Sequence, residues 1–212
     1  MKVVSVITAR GGSKGVPRKN IVDINGKPLI WYSINASLNS NVNETWVSTE
    51  DVEIKNISIE CGAQVLDRPK HLADDIIMPD ASLLHAAETI DFDILVFIQP
   101  CAPLIKSKFI NIGIDKITKE GYDSSFAVVR ESWMPVWDLD INPIDWNINA
   151  IPRRQDKDEW YKEAGMFYIT TKENLLASGL RYSGNIGVVE IPLQDSFQID
   201  SQQDLDLIRK VL

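Results

Sequence analysis

Cysteine and histidine are nearly missing from this chain: 212 residues hold two cysteines, Cys61 and Cys101, and two histidines, His71 and His85. Two cysteines cannot build a disulfide scaffold, and they lack the paired spacing of a zinc site, so both read as reduced packing residues. A long apolar run is missing too. The opening MKVVSVITARGG is broken at Arg10, which excludes a secretory h-region or a membrane span there, and the expectation is a cytoplasmic protein with no membrane partner. The Walker pattern GxxxxGK[ST] does not occur. Repeats, low-complexity tracts and domain-separating linkers are also lacking, so residues 1–212 read as a single domain, a size that suffices for one sizeable core.

Positive charge is scarce overall but concentrated. The net charge is -8, which argues against nucleic acid as a partner, yet residues 1–30 carry +5 and leave -13 for the rest. A cationic site on an acidic body suits a small polyphosphate. Four of the six cations there sit in Ala9–Asn20, ARGGSKGVPRKN, directly after the β-branched run Lys2–Thr8 and before an amphipathic helix that starts at Pro28. In this strand, loop and helix, Gly11, Gly12 and Gly15 let the backbone approach a ligand and aim amides at it. Arg10, Lys14 and Lys19 supply charge, and Ser13 and Asn20 add hydrogen bonds. A solvated βα connection with idle charges is the plainer reading of the same residues.

The alternation continues. Strands are expected at Thr45–Ser48, Ala63–Leu66, Ile94–Gln99, Ser124–Val129, Gly165–Thr170 and Gly187–Ile191, and helices at Asp51–Cys61, Asp80–Ile90, Lys106–Lys119, Lys172–Ser178 and Ser201–Leu212. ILVFIQ at Ile94–Gln99 has no polar alternation, as a central strand covered on both faces would not. The order implies an α/β fold, a mainly parallel sheet with helices on both faces. Residues 130–162, with four tryptophans and three prolines, interrupt it and read as an arm. Trp133, Trp137, Trp146 and Trp160 could stack on a base or pack the arm against a partner subunit.

These segments together resemble the CMP-sugar-acid synthetases, which include the CMP-sialic acid synthetases (acylneuraminate cytidylyltransferases). The resemblance runs through ARGGSKGVPRKN, GKPLIWYSI, WVSTED, GAQVLDRP, QPCAPL, PRRQD, GMFYIT and QDSFQIDSQQDL, in the family's order. It implies a Rossmann-like nucleotide-diphospho-sugar transferase fold, and transfer of CMP from CTP to a nonulosonic, sialic-acid-like sugar acid with release of pyrophosphate. It also implies a homodimer whose arm reaches the other subunit's sugar site. By position Arg10, Gly11, Ser13, Lys14, Lys19 and Asn20 would hold CTP, and Arg68 would lie near the base or ribose unless it is a surface ion-pair residue. Gln99, at the end of the central strand, is a candidate for the sugar acid or simply a helix cap. Arg153, Arg154 and Gln155 could grip the acceptor's carboxylate, or form a basic turn balanced by Asp156, Asp158 and Glu159. Lys14, Lys19, Arg154 and Gln155 are the candidate catalytic residues.

For magnesium or another divalent cation the family implies a carboxylate at Asp200, in a constellation with Asp195 and Asp204. The assisting acidic residue two positions earlier is replaced here by Gln198. Asp200 could equally be a helix-start carboxylate, and Ser201 reads as the N-cap of the last helix, with Asp204 three residues on in the place of a capping-box Glu. Cys101 and Ala102 stand where relatives carry hydroxyls. These departures motivate a second reading, a CTP-binding regulatory homologue with weakened catalysis. Ala164-Gly165 resembles the pseudaminic-acid enzymes, whereas PRRQD and GMFY resemble the sialic-acid ones; ARGGSKG and PRRQD speak against a Kdo enzyme.

Overall fold

The computed structural model describes residues 1–74 and 76–212. In chain order the elements are β1 (Val3–Thr8), β2 (Asp23–Ile24), β3 (Lys27–Pro28), α1 (Leu29–Leu38), β4 (Glu44–Thr49), α2 (Val52–Glu60), β5 (Gln64–Asp67) and α3 (Pro79–Thr89). There follow β6 (Ile94–Ile98), α4 (Ser107–Thr118), β7 (Ser124–Glu131), β8 (Val136–Trp137), β9 (Pro143–Ile144), β10 (Trp160–Thr171), α5 (Lys172–Ser178), β11 (Ile186–Glu190) and α6 (Gln202–Val211). Seven strands form one sheet in the order β11-β7-β10-β6-β1-β4-β5. As its unbroken apolar sequence demands, β6 is the middle strand and every one of its residues is buried.

Alternate residues of each central strand feed opposite faces, the period-two rule of a pleated strand. Ile94, Val96 and Ile98 of β6 pack with Ile30 and Ile34 of α1, Ile54 of α2 and the apolar stripe of α4. Leu95 and Phe97 face the other way, onto Leu83 and Ala86 of α3 and Leu175 of α5. The helices thus cover both faces. The sheet is parallel except for β10, which runs antiparallel to both β6 and β7. At about 25 cal/mol per Å² of apolar surface, this two-sided burial is the main source of stability, and Phe97, Leu95 and Ile98 of β6 are among its fully buried large side chains.

A third, smaller apolar cluster ties the start of the chain to its last helix. Val16 of the Gly-rich loop, Ile24 of the β2–β3 hairpin and Leu29 of α1 pack on Ile199, Leu205 and Ile208 around α6. The hairpin turns on Asn25-Gly26, both at positive φ (52° and 84°), the conformation that an Asn-Gly pair adopts at least cost. Ser201 caps α6 and Asp204 closes a capping box with it, as the sequence predicts. Residues between β7 and β10 carry the β8–β9 pairing, with Trp146 packed edge-on against Trp137 (4.8 Å between ring centroids) and Trp133 (6.4 Å). No helix among the described residues is long and apolar enough to cross a membrane.

Candidate active site

The carboxyl ends of β1 and β6 open into a cleft of about 350 Å3. Six of the residues singled out from the sequence meet on its wall: Arg10, Ser13, Lys19, Asn20, Arg68 and Gln99. Gly12 also lines it, and a Cβ built there would meet nothing within 4 Å, so this is where the loop stays open toward a ligand. Gly11, Lys14, Arg153, Arg154, Gln155, Gln198 and Asp200 are not on that wall.

The loop is held from three sides. Asn20 is buried and its Nδ2 donates to the Arg10 carbonyl (2.9 Å), drawing the two ends of the loop together. Arg18, in the left-handed region at φ 54°, forks onto Asp51 (2.6 and 2.9 Å) and reaches Glu53 (2.6 Å). Asp51 is at the same time the N-cap of α2, accepting from the amides of Glu53 and Ile54. The Arg18 guanidinium is the main reason its carboxyl falls to about 2, against a burial penalty of opposite sign. On the third side a Cβ on Gly15 would stand 1.9 Å from the Asp200 carbonyl oxygen; only glycine allows the loop to lie that close to the chain before α6. Lys19 crosses the same gap, its Nζ donating to the Ile199 carbonyl and to Asp200 Oδ1 at 2.9 Å each.

Gly11 is needed for a reason other than the one its place in the loop suggests. Its amide donates to Glu50 Oε1 (2.7 Å), and a Cβ there would meet Asp51 Oδ2 at 2.5 Å. Arg68 is not a surface residue. Its side chain is 5% exposed and bonded to Glu50 through Nη2 (2.6 Å) and Nε (3.2 Å). Burial would push the Glu50 carboxyl up, but the bonds from Arg68 and the Gly11 amide outweigh it and hold it below its usual range. Glu50 went unnoticed in the sequence, although an acidic pair at a strand's carboxyl end, STED, was the available signal.

The acidic constellation divides. Asp195 is buried and paired with Lys106 (2.7 Å), and Asp204 is occupied by the capping box, which leaves Asp200, 71% exposed, facing Lys19. Gln198 turns its Nε2 to the Ala164 carbonyl and lies under Gly165 (φ 57°), whose Cβ position its amide nitrogen nearly fills. Cys101 Sγ, 3.5 Å away, donates to the Gln198 Oε1, and burial pushes that thiol up to about 11. Arg153 forks onto Asp156 (2.7 and 2.8 Å), so for this residue the balanced basic turn is what the structure shows; Arg154 and Gln155 are exposed in the same turn.

A second cleft of about 350 Å3 shares Met78 with the first. Tyr168 and Tyr182 stack there and donate their hydroxyls to Glu163 (2.8 and 2.9 Å), beside the Arg181–Asp80 pair. Nothing in the local sequence pattern announced it, because its members come from α3, β10 and the segment after α5.

The model of the cytidylyltransferase family matches residues 4–211. The chain is 35% identical to N-acylneuraminate cytidylyltransferase A of Danio rerio, over 96% of this chain and 49% of that protein, so it spans about half the length of this relative. It is 30% identical to the pseudaminic acid cytidylyltransferase of Campylobacter jejuni, over 99% of this chain and 95% of that one. Among solved structures, CMP:2-keto-3-deoxy-manno-octonic acid synthetase complexed with CTP superposes with a TM-score of 0.75 at 20% identity, over 100% of this chain and 98% of that one, a likeness of fold. By sequence over nearly its whole length, and by a sheet whose strand ends open into a cleft walled by the Gly-rich loop, this chain belongs to the cytidylyltransferase family.

Proposed function

We propose that the protein transfers CMP from CTP to the anomeric hydroxyl of a nonulosonic, sialic-acid-like sugar acid and releases pyrophosphate. The observation that carries this reading is the convergence of Arg10, Ser13, Lys19 and Asn20 with Arg68 and Gln99 on one cleft at the strand ends. A triphosphate lying along the Gly-rich loop meets Arg10 and Lys19 as charge and Ser13 and Asn20 as hydrogen-bond donors, with Lys14 on the same loop; the nucleoside lies toward Arg68. Gln99, beside Gly165, orients the acceptor, whose remote end extends into the second cleft. The acceptor hydroxyl attacks the α-phosphorus in line, and the chain's contribution is positioning plus neutralisation of charge.

A magnesium ion fits this chain only as a companion of the nucleotide. Among the described residues no group of three or more His, Cys, Asp or Glu is arranged to hold a metal, while Asp200 offers one exposed carboxylate beside the loop. One carboxylate, with Gln198 behind it, suits a hard cation whose other ligands are phosphate oxygens and water. When bound, it would polarise the α-phosphoryl group and offset the triphosphate charge. Asp200 would then be shared between the ion and Lys19.

The arm is the proposed dimer contact. Val136, Trp137, Leu139 and Ile141 are exposed on it, more apolar surface than an arm in water favours, and Arg154 would grip the carboxylate of an acceptor in the neighbouring subunit's cleft. The reading places the enzyme in the cytoplasm, with CTP. Incubation with CTP, magnesium and a panel of nonulosonic acids should release pyrophosphate with at least one of them. Silence across the panel with CTP binding intact would favour the weakened homologue, a reading to which the engagement of Gln198 by Ala164 and Cys101 lends support.

A further inference from the structure

Glu50 lies between the end of β4 and Asp51, the N-cap of α2, and is 16% exposed. Both of its oxygens are engaged, one by the Gly-rich loop and the other by Arg68 on the cleft wall. Oε1 accepts the Gly11 amide at 2.7 Å, the first turn of the Gly-rich loop. Oε2 accepts Arg68 through Nη2 and Nε, at 2.6 and 3.2 Å. Among the described residues the Arg68 guanidinium has one further side-chain contact, Nη1 to Ser82 Oγ at 3.5 Å, at the limit of a hydrogen bond. Its backbone amide is fixed to the Thr49 carbonyl (2.9 Å), so the side chain starts from a set place and is aimed by Glu50.

A guanidinium carries five donors in a planar fork. With Nε and one Nη2 hydrogen spent on Glu50, three hydrogens remain, two on Nη1, which also has Ser82 Oγ at 3.5 Å, and one on Nη2; one from each nitrogen forms a parallel pair that a ligand can meet. Cytosine presents two neighbouring acceptors, O2 and N3. Uracil keeps O2 but replaces the N3 acceptor by an N–H. A fixed pair of donors therefore matches cytosine and sets a donor against a donor with uracil, whereas a guanidinium free to rotate can present a single donor to either base. Sites built to hydrogen-bond one pattern reject the wrong one strongly because the mismatched groups are left unpaired.

We propose that Glu50 is a positioning residue that sets base choice: by fastening Arg68 it fixes the donor pair that admits a cytosine nucleotide and rejects a uracil one, and by holding Gly11 it fixes that pair relative to the phosphate loop. The inference rests on the proposed binding of CTP in this cleft. Glu50→Gln keeps the size of the side chain and removes the charge that Arg68 requires.

The test is calorimetric titration of the full chain with CTP and with UTP in one magnesium buffer, for wild type, Glu50→Gln and Arg68→Lys. Wild type is expected to prefer CTP by at least about tenfold. Glu50→Gln should weaken CTP by about tenfold, the scale of one lost charge-assisted bond, and leave UTP within about twofold, so that the preference collapses. Arg68→Lys should do the same, and the double variant should be no worse than either, because both changes break one interaction. A staple that merely holds the fold would weaken both nucleotides alike, and an unchanged CTP to UTP ratio in the variants overturns the proposal. If Glu50→Gln does not fold, the ratio in Arg68→Lys decides by itself. A wild type that binds CTP and UTP equally overturns this inference alone; one that binds neither overturns the cytidylyltransferase reading together with it.

Discussion

Replacing Gly15 by alanine tests whether the contact between the Gly-rich loop and the chain before α6 is required for turnover. The added Cβ would sit 1.9 Å from the Asp200 carbonyl oxygen, where such carbons keep at least 3.0 Å, so the two backbones must part by about 1.1 Å. The obstacle is backbone, with no flexible side chain to step aside, and the loop carries Lys19, whose Nζ bridges to Ile199 and Asp200 across the same gap. A misplacement of about 1 Å at a site that works by positioning costs about a hundredfold in rate, or about 2.7 kcal/mol of transition-state stabilisation, and the overpacking itself costs about 1–3 kcal/mol of stability. Initial rates of pyrophosphate release against CTP, with urea melts alongside, would measure both. Gly12→Ala is the internal comparison: its Cβ meets nothing, so stability should stay within about 0.5 kcal/mol while CTP affinity falls, because the methyl enters the cleft. If Gly15→Ala keeps more than about a third of the wild-type kcat/KM with an unchanged melt, the reasoning about loop placement fails.

Asp51, held near 2 when folded against about 3.9 unfolded, contributes stability that is present above about pH 4 and lost as the pH falls toward 2. Asp51→Asn should flatten the acid limb of the stability profile in that window, at a cost near neutrality below about 1 kcal/mol because Arg18 is 40% exposed; identical limbs would refute the pairing. Cys101, with its thiol pushed up to about 11, should react with iodoacetamide at pH 8 about a hundredfold more slowly than a free thiol, as followed by mass spectrometry of the alkylated peptide. Arg154→Ala should raise KM for the sugar acid about tenfold or more with little change for CTP. Mixing it with Lys19→Ala should restore about a quarter of the wild-type activity, since random pairing leaves one intact site in half of the dimers, and no recovery would refute the shared arm.

How far the sequence could be read depends on where each force acts. β6 was legible because a strand covered on both faces has no polar residue to alternate with, and the α6 capping box because its signal lies within four residues. The composition of the Gly-rich loop pointed to residues that the structure brings to the cleft wall, but not to the separate duties of its glycines: Gly12 is open, Gly11 is bound to Glu50, and Gly15 is pressed on Asp200. Those duties depend on partners 39 or more residues away, which no local pattern encodes. β10 begins at Trp160 rather than Gly165, because pairing with β7 extends it through polar residues such as Lys162 and Glu163 whose sequence alone argues for a loop. The Asn25-Gly26 hairpin was readable from its dipeptide and went unread, its flanking strands being only two residues long.

The bridge from Lys19 to Ile199 and Asp200 joins residues 180 and 181 positions apart. During synthesis at roughly 5–20 residues per second, the Gly-rich loop emerges from the ribosome many seconds before the segment that braces it. The sheet from β1 to β6 can form in that interval, but Val16, Ile24 and Leu29 stay uncovered until Ile199, Leu205 and Ile208 arrive. A nascent chain therefore has a Gly-rich loop without its brace, and the loop acquires its final placement in one late step rather than strand by strand.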